Sequence, residues 1–206
     1  MTTDEYSFNE DEQDVLQELF NIAIGSASAV IAEMMEVFVN MHVPSTEITN
    51  MAGLKVHVEE KTIPNHNYFI ANQIYTGEIS GETVFFANES DTKNLVVHLE
   101  GSYDEALAND VFLELSNIIT AGFIGKLSEL LETDFSLAQP TIECRTGKNL
   151  ISFSPNELET KVIIANMEVD LEGVNVRGMF FLLSKTAAFV KLKKAVERYI
   201  QILQDE

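Results

Sequence analysis

The apolar residues of this chain form two long stretches at helical spacing, each followed by shorter runs rich in β-forming side chains. Over about 9–39 and again over 104–132, apolar positions recur every three or four residues: Val15, Leu19 and Ile22 in the first stretch, Val111, Leu115 and Ile118 in the second. That period predicts two helices, each with one buried face. Ser7 with Glu10, and Ser102 with Glu105, have capping-box spacing ahead of them. Each helix has to end before Pro44 or Pro140, since a proline ring cannot continue it. Residues 55–58 and 67–74 read as short strands, and 82–86 and 176–183 as buried strands flanked by Gly81 and Gly173. Helices over 91–99 and 185–203 follow, the latter with Phe189, Leu192, Val196, Tyr199, Ile200 and Leu203 as its apolar stripe.

The pattern occurs twice because the chain repeats itself. With a shift of 96 residues, 14–47 aligned on 110–143 gives ten identities: Asp14, Val15, Glu18, Leu19, Asn21, Ile22, Glu33, Glu36, Pro44 and Glu47 match Asp110, Val111, Glu114, Leu115, Asn117, Ile118, Glu129, Glu132, Pro140 and Glu143. At nearly the same shift Ile70-Ala71-Asn72 recurs as Ile164-Ala165-Asn166, and Phe85-Phe86 as Phe180-Phe181. The expected fold is α+β, an internally duplicated helix/sheet unit with pseudo-twofold symmetry, its helices packed on an antiparallel or mixed sheet. No linker rich in proline, glycine or serine divides the halves. One domain spanning 1–206, made of repeats at about 7–100 and 102–203, is therefore expected.

Within each repeat a polar row runs beside the apolar stripe. Asp14, Glu18 and Asn21 stand at i, i+4 and i+7, within about 60° of one helix face. Gly25 continues the row, and Asp110, Glu114, Asn117 and Ala121 repeat it. A single such match in an acidic chain means little, because carboxylates near a helix start simply suit the macrodipole. Two copies mean more. The helices differ at most positions, yet both keep the triplet and the distant proline. Packing accounts for the shared valine, leucine and isoleucine. It does not account for a shared asparagine, a mediocre helix former.

Composition narrows the partners. Thirteen basic residues face 33 acidic ones, and a net charge of −20 repels phosphate backbones, which argues against nucleic acid. Five of the basic residues lie between Lys185 and Arg198, making the last helix locally basic. No stretch reaches the roughly 18 consecutive apolar residues of a membrane span, and residues 1–8 lack the basic and apolar regions of a secretory leader. A lone cysteine, Cys144, fits a reducing compartment and reads as a small, partly buried thiol in a strand. His42, His57, His66 and His98 form no metal-ligand pattern, and no nucleophile elbow or nucleotide-binding loop is present.

Written out, the rows read Asp14-x3-Glu18-x2-Asn21-x22-Pro44 and Asp110-x3-Glu114-x2-Asn117-x22-Pro140. Both resemble the signature of the CheC/CheX/FliY phosphatases of bacterial chemotaxis, and the run from Glu18 to Ala27 resembles that family's E-x-x-N-I-x-x-G-x-A stretch. With two signatures and no length left for a rotor module, the chain looks most like CheC. The second copy departs by one position, its glycine falling at Gly122, which is expected to alter how a partner approaches that site. The resemblance implies a cytoplasmic hydrolase acting on the aspartyl phosphate of a CheY-type response regulator. Asn21 and Asn117 would orient the attacking water, much as a glutamine does in small GTPases. Glu18 and Glu114 would pair with the regulator's active-site lysine, Asp14 and Asp110 would make rim contacts, and Pro44 and Pro140 would position the helix ends. The chain would need no cofactor or metal of its own, the Mg²⁺ being supplied by the regulator. The deamidase CheD is a possible further partner. The alternative is a non-hydrolytic adaptor for a regulator or CheD.

Overall fold

The computed structural model describes residues 7–36, 38–152, 157, 160–171 and 173–205; the start of the chain, read above for a leader, lies partly outside them. The order of elements is α1 (Glu10–Met35), β1 (Val39–Asn50), α2 (Met51–Lys61), β2 (Asn67–Gly77), β3 (Gly81–Asn88), α3 (Glu89–Glu100), α4 (Glu105–Leu130), β4 (Phe135–Leu137), β5 (Thr141–Thr146), β6 (Lys161–Leu171), β7 (Val174–Ser184) and α5 (Thr186–Asp205). The two long helices start two residues later than the serines suggest. Asn9 caps α1 in a reciprocal box with Glu12, and Asp104 caps α4 by accepting from the backbone N–H of Ala106 and Leu107. Asparagine and aspartate cap at least as well as serine, and here they adjoin the first buried turn. Segment 55–58 is not a strand. Asn50 accepts from the Gly53 N–H and opens a helix there, and Met51, Leu54 and Val58 line its buried side at helical spacing.

The strands form one antiparallel sheet in the order β1-β6-β7-β3-β2-β4, with β5 also on β2. The repeats interlace within it. β1 of the first repeat pairs with β6 of the second, and β5 of the second pairs with β2 of the first. The registers correspond: Ser45 faces Asn166 as Thr141 faces Asn72, and Phe85 faces Phe180, its own counterpart, at the centre. A pseudo-twofold axis therefore passes through the Phe85–Phe180 pair. Even the turns after the long helices agree, since Glu36 and Glu132, a repeat-related pair, are the two described non-glycine residues with positive φ.

Helices α1, α3, α4 and α5 cover one face of the sheet, and α2 covers part of the other. Where α1 crosses α4, Phe20 and Phe123 meet edge to face at 4.9 Å. The deepest line of α1 is Leu16, Leu19, Phe20, Ala23 and Ala27. Val15, Ile22 and Val111, expected in the core, sit on its shoulder and are only partly buried, whereas Leu19, Leu115 and Ile118 are buried. Both α1 and α4 are long and apolar enough to cross a membrane by those criteria, but about half of each apolar window is packed inside the protein. The start of α1 is tied to α5. Lys193 Nζ lies 3.1 Å from Glu12 Oε2 and donates to the Ser7 carbonyl at 2.8 Å, with Lys193 7% and Glu12 6% exposed.

Candidate functional site

On α1 the carboxylates of Asp14 and Glu18 are exposed and Asn21 is half-buried. The amide is oriented from below. Asn21 Oδ1 accepts the backbone N–H of Val43 at 3.0 Å, and one turn earlier Gln17 Nε2 donates to the Pro44 carbonyl at 3.2 Å. Pro44 explains why that N–H is available. Lacking an N–H, it cannot serve a ladder, and the β1–β6 register slips between His42 and Ser45 around it. The bulge leaves Val43 without a partner on β6 and turns its N–H to the helix. The proline thus acts on a sheet edge and, through Val43, on the asparagine. In sequence it lies beyond the helix end at Met35, and its carbonyl meets Gln17 within α1.

Site two is built from different parts. Asp110 and Glu114 are exposed and Asn117 is half-buried. Pro140 falls between β4 and β5, which would otherwise be one strand along β2. Here the proline breaks the edge instead of bulging it, ten residues past the end of α4 at Leu130. Through the break Gln73 of β2 donates from Nε2 to the Ala138 carbonyl at 2.9 Å and to Asn117 Oδ1 at 3.1 Å. A carbonyl can only accept, so the Ala138 oxygen settles which end of the Gln73 amide faces it, and with it the orientation of Asn117. Beside the row, Leu99, Leu107 and Val111 form an aliphatic floor under Glu100, Asp110 and Glu114, in a groove of 460 Å³.

Both asparagines thus commit one oxygen lone pair to the protein. Neither Nδ2 hydrogen-bonds a described residue, so the amide N–H groups and a second oxygen lone pair remain for a partner. Among the described residues no three His, Cys, Asp or Glu side chains converge as a metal site. Cys144 is exposed on β5, not partly buried as expected. Partial desolvation, then the nearby Glu89 and Glu105, raise its thiol above the ordinary value, which disfavours the thiolate a nucleophile needs. Gly25 and Ala121 lie exposed at matching places on the polar row. Gly122 does not serve the partner's approach: a Cβ there would meet Ala27 Cα and Cβ at 2.8 Å, so this glycine lets α1 and α4 touch.

No family model matches the sequence, and no curated protein matches it either. Solved structures do resemble it. Thermotoga maritima FliY superposes with a TM-score of 0.76 at 17% identity, covering 93% of this chain and 98% of that one. The middle domain of Helicobacter pylori FliM gives 0.59 at 13% identity, over 91% and 99%. A chain of the CheX–CheY–BeF3–Mg²⁺ complex of Borrelia burgdorferi gives 0.51 at 17% identity, over 82% and 96%. The class these likenesses define is a set of helices packed on an open antiparallel sheet, shared by FliY, CheX and the FliM middle domain. The chain has the CheC/CheX/FliY fold.

Proposed function

We propose that this chain is a CheC-like phosphatase that hydrolyses the aspartyl phosphate of a CheY-type response regulator in the cytoplasm, at two sites. The observation that carries this reading is the repeated presentation of a carboxylate and an amide. On each of two helices an exposed glutamate stands one turn before an asparagine whose oxygen is held from inside and whose N–H groups point away from that hold. A fixed carboxamide is the group required to place water in line with an already activated phosphoryl group. Nδ2 donates to a phosphoryl oxygen or to the water, and the free lone pair of Oδ1 accepts from the water. Glu18 and Glu114 take the regulator's lysine as ion-pair partner, and the aliphatic floor beside Asp110 and Glu114 receives the apolar surface around it. The Mg²⁺ belongs to the regulator. Asn21 leans on β1 and Asn117 on β2 near the opposite end of the sheet, an arrangement that favours independent sites.

The test is phosphate release from a regulator phosphorylated with acetyl phosphate. Asn21→Ala and Asn117→Ala should each keep partial activity, and the double variant should fall to the regulator's own dephosphorylation rate. A double variant as active as the parent protein would refute the assignment. A second reading, a non-hydrolytic adaptor for a regulator or CheD, draws on the likeness to the FliM middle domain, and one chain of a solved FliG–FliM complex is similar at a TM-score of 0.55. Regulator binding without accelerated phosphate release would favour it.

A further inference from the structure

We infer that Gln73 is a positioning residue for site two, and that the two sites hold their asparagines by different devices, a side chain at one and the backbone at the other. The inference rests on the phosphatase reading for its catalytic consequence but not for its geometry. Gln73 is 4% exposed, on the sheet face that packs against α4. Both hydrogens of its amide are used, one on the Ala138 carbonyl and one on Asn117 Oδ1. Its own Oε1 is buried and accepts no hydrogen bond from a described residue. A buried amide oxygen left without a donor costs about 1–3 kcal/mol, so packing alone does not account for a glutamine here.

The other repeat shows what packing alone would select. The Ile70-Ala71-Asn72 and Ile164-Ala165-Asn166 blocks place Met167 at the position matching Gln73. Met167 is 1% exposed, similar in length, and unable to donate a hydrogen bond. Site one can use methionine because the Val43 N–H already holds Asn21. Site two has a broken strand where site one has a bulge, and there a side chain reaching through the break supplies the donor. Val43 is fixed by the backbone of β1. Gln73 holds its asparagine through a side chain that must itself be held at Ala138. The donor also comes from the other repeat: Gln73 and Asn117 are 44 residues apart.

Gln73→Met installs the residue that site one has at this place and removes the donor with little change of volume. Two measurements read the consequence. In ¹⁵N relaxation and amide-exchange spectra, the Asn117 side-chain NH₂ should lose order and shift while the Asn21 NH₂ stays unchanged. In phosphate release, Gln73→Met in the Asn21→Ala background, where only site two works, should lower kcat on the order of ten- to a hundredfold with KM nearly constant. In the Asn117→Ala background it should have no further effect. Gln73→Leu serves as a second variant if the methionine protein does not fold. An Asn117 amide as ordered in Gln73→Met as in the parent overturns the positioning claim, and so does an equal loss of turnover in both backgrounds, which would mark a general structural role. A parent protein without phosphatase activity would count against the functional reading alone, and the spectra would then decide the positioning claim by themselves.

Discussion

Glycine-to-alanine substitutions at Gly122, Gly125 and Gly25 make the same chemical change in helices of the same kind, yet the structure assigns them different outcomes. In an exposed helix interior the change gains about 1 kcal/mol, because alanine restricts the unfolded chain and favours the helix. At Gly125 and Gly25 a Cβ meets nothing within 4 Å, so the full gain should appear. At Gly122 the new methyl would lie 2.8 Å from Ala27 Cα and Cβ. One of these is backbone, so α1 and α4 must separate, and they are tied by the Phe20–Phe123 contact. Overpacking of that kind costs about 1–3 kcal/mol. Set against the same propensity gain, Gly122→Ala should be destabilised by up to about 2 kcal/mol. Urea unfolding reads the difference as opposite displacements of the midpoint at unchanged slope. Gly25 carries a further signature, because it lies exposed on the polar row: Gly25→Ala should stabilise the free protein yet weaken regulator binding. If Gly122→Ala raised the midpoint as much as Gly125→Ala does, the assignment of Gly122 to the helix crossing would be wrong.

Removing the ammonium in Lys193→Met leaves Glu12 buried with the Asn9 N–H as its remaining described partner and should cost about 3–5 kcal/mol. Adding Glu12→Gln should restore most of that loss, and a double-mutant cycle by urea unfolding checks it; purely additive losses would disprove the coupling. Glu18→Ala and Glu114→Ala should weaken regulator binding in titrations as well as slow turnover, unlike the asparagine variants, and unchanged affinity would remove the docking role.

The long helices, the duplication and the central strands were legible because their signals are local or self-repeating: periodic apolar positions, and blocks recurring at one shift. Strand β1 was not. Its alternation survives only through Val39, Met41 and Val43 before Pro44 interrupts it, and that interruption is the bulge that serves Asn21. Lys55-Val56-His57-Val58 carries β-branched residues that imitate a strand, and the Asn50 cap with the Met51, Leu54, Val58 spacing outweighs them. The site carboxylates and amides were visible as a row on one face. What orients them was not, since the Val43 N–H depends on a register slip and Gln73 lies on another strand. One signal was available: a glutamine among the apolar residues of β2, at a place where the other repeat has methionine.

The interlacing of the two repeats sets an order of assembly. Ser45 and Asn166 are hydrogen-bonded across 121 residues, and on both sides of its bulge β1 finds its partner in a strand that begins only at Lys161. During synthesis the N-terminal half therefore leaves the ribosome with an unpaired strand, and no local hairpin can shelter it. Closing so long a loop before its contacts form is slow. β5, by contrast, meets β2 already made. The strand that carries Val43 thus gains its ladder only after most of the chain has emerged, and the site translated first is among the last parts of the molecule to reach its final shape.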